Sequence, residues 1–130
     1  MIGGHRLQVV PILDADELLR RFVRANLNSD GTLNSNTFKI SGKPSSNTPV
    51  AMRQSVDLAK MTTPAESAAR RPNSGIGVLT AAVPRAQELA VEHAPLDENP
   101  AHSVLDGGFT KAICHILADA TLVVLEPPAS

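Results

Sequence analysis

The chain has 130 residues, 42% hydrophobic and 19% charged, with a net charge of -1 and a single cysteine. This length suits one domain with its own core, and the composition excludes a natively disordered chain. No apolar run reaches the roughly 20 residues of a bilayer span. Cys114, being alone, excludes an internal disulfide and an all-cysteine zinc site.

The N-terminal Met-Ile-Gly-Gly-His-Arg lacks the basic-then-apolar layout of a secretory signal, so a cytoplasmic protein without membrane association is expected. With three Phe and neither Trp nor Tyr, the core has to be aliphatic, and the stacking platforms of single-strand nucleic-acid binders are missing. Charge is segregated. Residues 20–85 carry ten Lys/Arg against Asp30, Asp57 and Glu66, whereas residues 86–130 carry Lys111 against seven acids. Such asymmetry serves an anion-binding face, head-to-tail subunit pairing, or attraction between two halves of one domain; the last is preferred, because a globular chain brings its halves together.

In chain order, residues 1–6 are expected to fray and Leu7–Leu13 to be extended up to Pro11. Asp14-Ala15-Asp16-Glu17 matches a capping box, and Leu18, Leu19, Phe22, Val23 and Leu27 follow at helical spacing, so a helix is predicted over residues 15–26 with Arg20, Arg21 and Arg24 on its polar side. Residues 26–36 read as loop, and Thr37–Ile40 as a short strand with Phe38 and Ile40 on one face. Ser41-Gly42-Lys43 lacks the earlier glycine of a phosphate loop, and Pro44 stands at its hydroxyl position. Met52–Leu58 reads as a strand. Thr63-Pro64-Ala65-Glu66 opens a short helix through Arg70-Arg71, whose cations suit its C-terminal dipole. Gly75–Val83 is a central-strand candidate, Pro84–Leu89 one helical turn, Leu89–Glu92 a strand, and Ser103–Leu105 another. Phe109–Ala120 forms the last helix, with Phe109, Ile113, Ile116, Leu117 and Ala120 on one side, and Thr121–Leu125 a buried strand stopped by Pro127-Pro128.

One stretch is dense enough in polar groups to suggest a site: Glu92-His93-Ala94-Pro95-Leu96-Asp97-Glu98-Asn99-Pro100-Ala101-His102. Imidazoles beside carboxylates suit acid/base work, whereas two prolines make a stiff loop that equally serves as a plain turn. The spacing of His93 and His102 fits no standard ligand motif, and neither metal nor cofactor is expected.

Phe38, Ser55-Val56-Asp57, Thr62-Thr63-Pro64-x-Glu66, Gly77-Val78, Leu89-x-Val91 and Asn99-Pro100-Ala101-His102 follow in an order that resembles a group of small uncharacterised bacterial proteins with an SVD…TPxE…NPAH layout, over about residues 18–105. No activity comes with the resemblance. It draws attention to Asp57 and His102.

The expected fold is α+β: a single domain over residues 1–130, with tails at 1–6 and 127–130, and a mixed sheet of four to six short strands packed by two main helices. The expected function is that of an adaptor or accessory protein binding another protein or a second copy of itself. The alternative is a small enzyme or binding protein for a phosphorylated or nucleotide-like ligand. In it His102 is the acid/base, Asp57 or Asp97 its orienter, Ser55 or Ser103 the nucleophile, and Arg20, Arg21 and Arg24, with His93 and Asn99, contact the anion. The residues alone do not decide whether the protein is an enzyme. The positive middle lacks a recognised nucleic-acid module, which argues against nucleic acid.

Overall fold

Leu18 and Leu19 stand next to each other in the chain and both are buried, at 0% and 2% exposure. A strand places adjacent side chains on opposite faces, so two buried neighbours call for cover on both sides of a sheet. This is how the computed structural model, which describes residues 8–39 and 48–128, resolves the segment: residues 17–22 are a strand, and the helix predicted over 15–26 is not formed. The acids of the supposed capping box are taken by a turn. Asp16 accepts from the Leu13 amide at 2.7 Å and pairs with Lys60 at 2.9 Å, while Asp14 pairs with Arg85 at 2.7 Å. Tertiary burial has overridden a local helix signal.

Strands β1 (Glu17–Phe22), β2 (Val50–Leu58), β3 (Gly75–Thr80), β4 (Ala90–His93), β5 (His102–Phe109) and β6 (Leu122–Leu125) form a six-stranded sheet in the order β4-β5-β2-β1-β3-β6. Every pairing is antiparallel, so the sheet is not mixed. The helices are short: α1 (Pro64–Ala69), α2 (Ala82–Ala86) and α3 (Lys111–Asp119). The α+β class holds, with one longer helix, α3, instead of two. α1 is capped as its sequence predicts: Thr63 Oγ1 accepts from the Glu66 amide at 3.1 Å and Glu66 Oε1 from the Thr63 amide at 3.2 Å.

Residues directly opposite across a ladder share a face. Leu18, Phe22, Val56, Leu58, Leu79, Val91, Leu105 and Phe109 form the core with Cys114, Leu117 and Ala118 of α3. Ile116, expected on the buried stripe of α3, is 42% exposed. Thr37–Phe38 is not a strand but part of a 3₁₀ turn (Ser35–Phe38) that buries Phe38 and lets its carbonyl accept from Cys114 Sγ at 2.9 Å. β6 is an edge strand with Leu122 and Val124 exposed, and not the buried strand expected from its apolar run. Pro127, expected in a frayed tail, is buried, and its carbonyl accepts from Arg24 Nη2 at 2.8 Å. Residues 8–13 form no strand. Ser41-Gly42-Lys43 and Ile40 lie outside the described residues. Among the described residues, no helix is long and apolar enough to cross a membrane.

The ladders differ in extent in a way that makes the site. β2 pairs with β5 over eight residues and β1 with β3 over six. β1 and β2 pair only at Leu18–Leu58 and Leu19–Asp57. Beyond that point the two strands part, and the sheet is split.

Candidate functional site

A cleft of about 390 Å³ lies where β1 and β2 separate. Its wall includes Arg20 and Arg21 from β1, Arg53, Gln54 and Ser55 from β2, Lys39 after the 3₁₀ turn, and Arg71 and Ser74 from the turn between α1 and β3. Five of the lining residues are cationic and none is acidic. Asn73, at φ 64°, takes the left-handed conformation that closes this turn, a geometry Asn tolerates better than most residues.

Arg20 sits in the split itself. Its Nη1 donates to the Ser55 carbonyl at 2.7 Å, Nε and Nη2 donate to the Thr37 carbonyl at 3.0 and 2.9 Å, and Nη2 also reaches Gln54 Oε1 at 2.9 Å. The guanidinium lies over the Phe38 ring, 5.1 Å from its centroid. All of these partners are neutral. Burial lowers the Arg20 pKa to about 10, with repulsion from Arg21 and Arg71 adding to the effect, yet the group remains protonated at neutral pH. Among the described residues Lys39 and Arg71 have no carboxylate partner either, and Arg53 has a loose, exposed contact to Asp106 at 3.5 Å. Two hydroxyls in the lining, Thr37 Oγ1 and Ser74 Oγ, are buried without a hydrogen-bond partner. Unmatched buried hydroxyls are uncommon in native proteins.

Arg21 points to the other face and has a carboxylate partner. Its Nη1 donates to Asp57 Oδ2 at 2.8 Å; Ser67 Oγ donates to the same oxygen at 2.6 Å, and Asn99 Nδ2 to Oδ1 at 2.9 Å. Asp57 is fully buried. This cluster ties β1, β2, α1 and the 94–101 loop together, which accounts for Asp57 and Asn99 as structural anchors.

The two histidines brace the same loop from opposite ends. His93 accepts the Val10 amide at Nδ1, 2.9 Å, so its Nε2 carries the hydrogen donated to the Pro100 carbonyl at 2.7 Å. His102 Nδ1 lies 2.8 Å from the Ala94 carbonyl; since a carbonyl only accepts, this nitrogen is the donor. Nε2 is left with its lone pair and lies 3.1 Å from Ser55 Oγ, which donates to it. His102 is thus oriented by a backbone carbonyl, and not by Asp57 or by Asp97, which is exposed. Ser103 is buried on the opposite face and donates to the Ala101 carbonyl at 3.1 Å.

No protein-family model, curated protein or solved structure matches this chain. The motifs behind the noted resemblance do meet in space: Ser55 and Asp57 of the first segment contact His102 and Asn99 of the last.

Of the residues singled out from sequence, Arg20, Arg21 and Ser55 line the cleft, and His102 stands behind Ser55. Arg24 does not join them, since it holds the Pro127 and Pro128 carbonyls. His93 and Asn99 belong to the loop's bracing. Lys39, Arg53, Arg71 and Ser74 are not among the residues the sequence marks; they come from three separate segments, and the signal common to the three cations is the excess of positive charge between residues 20 and 85. Among the described residues no group of His, Cys, Asp and Glu is arranged to hold a metal ion.

Proposed function

We propose that the protein binds a small multivalent oxyanion, phosphate-bearing or polycarboxylate, in the cleft between β1 and β2. The observation that carries this reading is Arg20: a partly buried cation, held only by neutral acceptors, in a cleft whose lining adds Lys39, Arg53 and Arg71 and no acid, Arg21 being paired with Asp57. A withdrawn charge without a counterion is costly, and an anionic ligand supplies the missing partner. Arginine forks match the oxygens of phosphate and carboxylate. A reducing cytosolic setting fits the single buried thiol of Cys114, whose pKa burial pushes up.

Titration calorimetry with inorganic phosphate, pyrophosphate and citrate tests this. Saturable one-to-one binding of at least one of them is expected, weakened about tenfold in Arg71→Gln, whose exposed side chain leaves the fold intact. No binding at low salt, or equal binding by the variant, contradicts the reading.

A second reading, self-association, has its own support in β6, the edge strand of the sheet among the described residues, where Leu122 is 71% and Val124 47% exposed. An unpaired apolar edge invites another strand. Sedimentation of wild type and Leu122→Lys separates the two: a dimer dissociated by the substitution supports it, and a monomeric wild type removes it.

A further inference from the structure

Ser55 Oγ and His102 Nε2 form a pair that anion binding alone does not require. We infer that Ser55 is a nucleophile and His102 its general base, and that the substrate is a carboxylic ester carrying an anionic group. This inference rests on the cleft being an anion site, since the anionic group has to be seated there for the ester to reach Ser55.

The pair has the parts needed for acyl transfer. A neutral imidazole acts as a base only if one nitrogen is unprotonated and faces the nucleophile, and the Ala94 carbonyl at 2.8 Å fixes that tautomer by taking the hydrogen on Nδ1. Ser55 Oγ is 3.1 Å from the free nitrogen, within the range of a nucleophile and its base. Ser55 is exposed and belongs to the cleft lining, with its side chain on the β2 face that carries Arg53 and Asp57, so a substrate that spans the split between the strands reaches it. The backbone carbonyl of Ser55 is pinned by Arg20 at 2.7 Å, which fixes the strand at the nucleophile's own residue. His102 lies on β5, Ser55 on β2, and the two strands are paired through this region, so the pair is carried by a ladder and not by a mobile loop.

The chemistry balances with water as co-substrate. Ser55 Oγ bonds to the ester carbonyl carbon while its proton passes to His102 Nε2. The negative charge on the carbonyl oxygen develops in a cationic cleft, which favours it. The carbon–oxygen bond to the alcohol breaks, and the departing oxygen takes the proton from Nε2. Water then attacks the acyl-serine, giving its proton to Nε2, and Ser55 Oγ leaves with that proton. Ester and water become acid and alcohol.

The test uses the full chain and two independent readouts. An alkyl fluorophosphonate reports the nucleophile: Ser55 Oγ displaces fluoride from phosphorus, and intact mass with peptide mapping locates the adduct. A single adduct at Ser55 is expected, absent in Ser55→Ala and slowed about 100-fold in His102→Gln. Ser55→Ala keeps the His102–Ala94 bond and does not depend on the fold tolerating loss of the ring. With mono-4-nitrophenyl adipate and 4-nitrophenyl acetate as substrates, kcat/KM is expected to be about tenfold higher for the anionic ester. Pyrophosphate binding by Ser55→Ala is measured alongside. If pyrophosphate binds but no serine is labelled, the nucleophile is refuted while the anion site stands. If labelling falls on other serines or is unchanged in His102→Gln, the pair is refuted. If Ser55 is labelled but the two esters turn over equally, the anionic substrate class is refuted, and cleavage of 4-nitrophenyl phosphate in place of both esters refutes acyl transfer.

Discussion

Arg20 and Arg21 are neighbours on one strand, and the two faces of the sheet treat them oppositely. Arg21 meets a buried carboxylate whose oxygens are also held by Ser67 and Asn99. Arg20 meets two backbone carbonyls, an amide oxygen and an aromatic ring. One arginine is paired with a buried carboxylate; the other fills a split in the sheet and has no counterion among the described residues. A cation's partner, and not the cation, separates scaffold from site.

The largest expected consequence lies on the closed side. Asp57→Ala leaves Arg21 partly buried without its carboxylate and should cost about 3 to 5 kcal/mol, measured by urea unfolding. Arg20→Met should cost less, about 1 to 2 kcal/mol, because the lost bonds are to neutral acceptors, while it abolishes pyrophosphate binding. If Arg20→Met proved the more damaging to stability, Arg20 would be scaffold and the contrast would collapse.

A pair of serines sharpens the same comparison. Ser67 Oγ donates to Asp57, so Ser67→Ala should cost about 1 to 3 kcal/mol. Ser74 Oγ is buried with no partner. Ser74→Ala should therefore change stability by no more than about 0.5 kcal/mol, in the direction of greater stability, since an unmatched polar group is removed. Equal costs at the two positions, in thermal or chemical denaturation, would show that Ser74 has a structural partner.

The smallest effect concerns Asp16, outside both regions. Its carboxylate is held below the usual range, first by the Leu13 amide and then by Lys60. A depressed folded value means that its contribution is present above the ordinary Asp pKa and lost as pH falls through the folded value. A Tm–pH profile of Asp16→Asn should accordingly converge on wild type in acid and separate from it towards neutrality.

Much of the sheet was legible because its elements carry their own local chemistry. The Thr63–Glu66 capping box and β2 formed where their residues indicate, and β3 formed over the first part of Gly75–Val83, stopping at Thr80 because Ala82–Val83 open α2. β1 was misread because adjacent Leu18 and Leu19 fit a helical stripe as well as a doubly covered central strand, and only its neighbours β2 and β3 decide between them. At the candidate site the excess of positive charge and the contact of Ser55 with His102 join residues that the sequence marks. The site's location was not legible, since it arises where two strands part, and strand divergence leaves no pattern in either strand's sequence. Asp57 drew attention as His102's orienter through its place in a motif; its own three donors show why a buried carboxylate can be an anchor instead.

The contrast between the two arginines can be measured on the side chains themselves, by following arginine Nε–H resonances during a pyrophosphate titration. The account predicts saturable shifts for Arg20 and Arg71, with matching dissociation constants, and a stationary signal for Arg21 within its Asp57 cluster. Arg20 unmoved at saturating pyrophosphate, or Arg21 shifting in step with it, would contradict the claim that the cleft between β1 and β2 is an anion site.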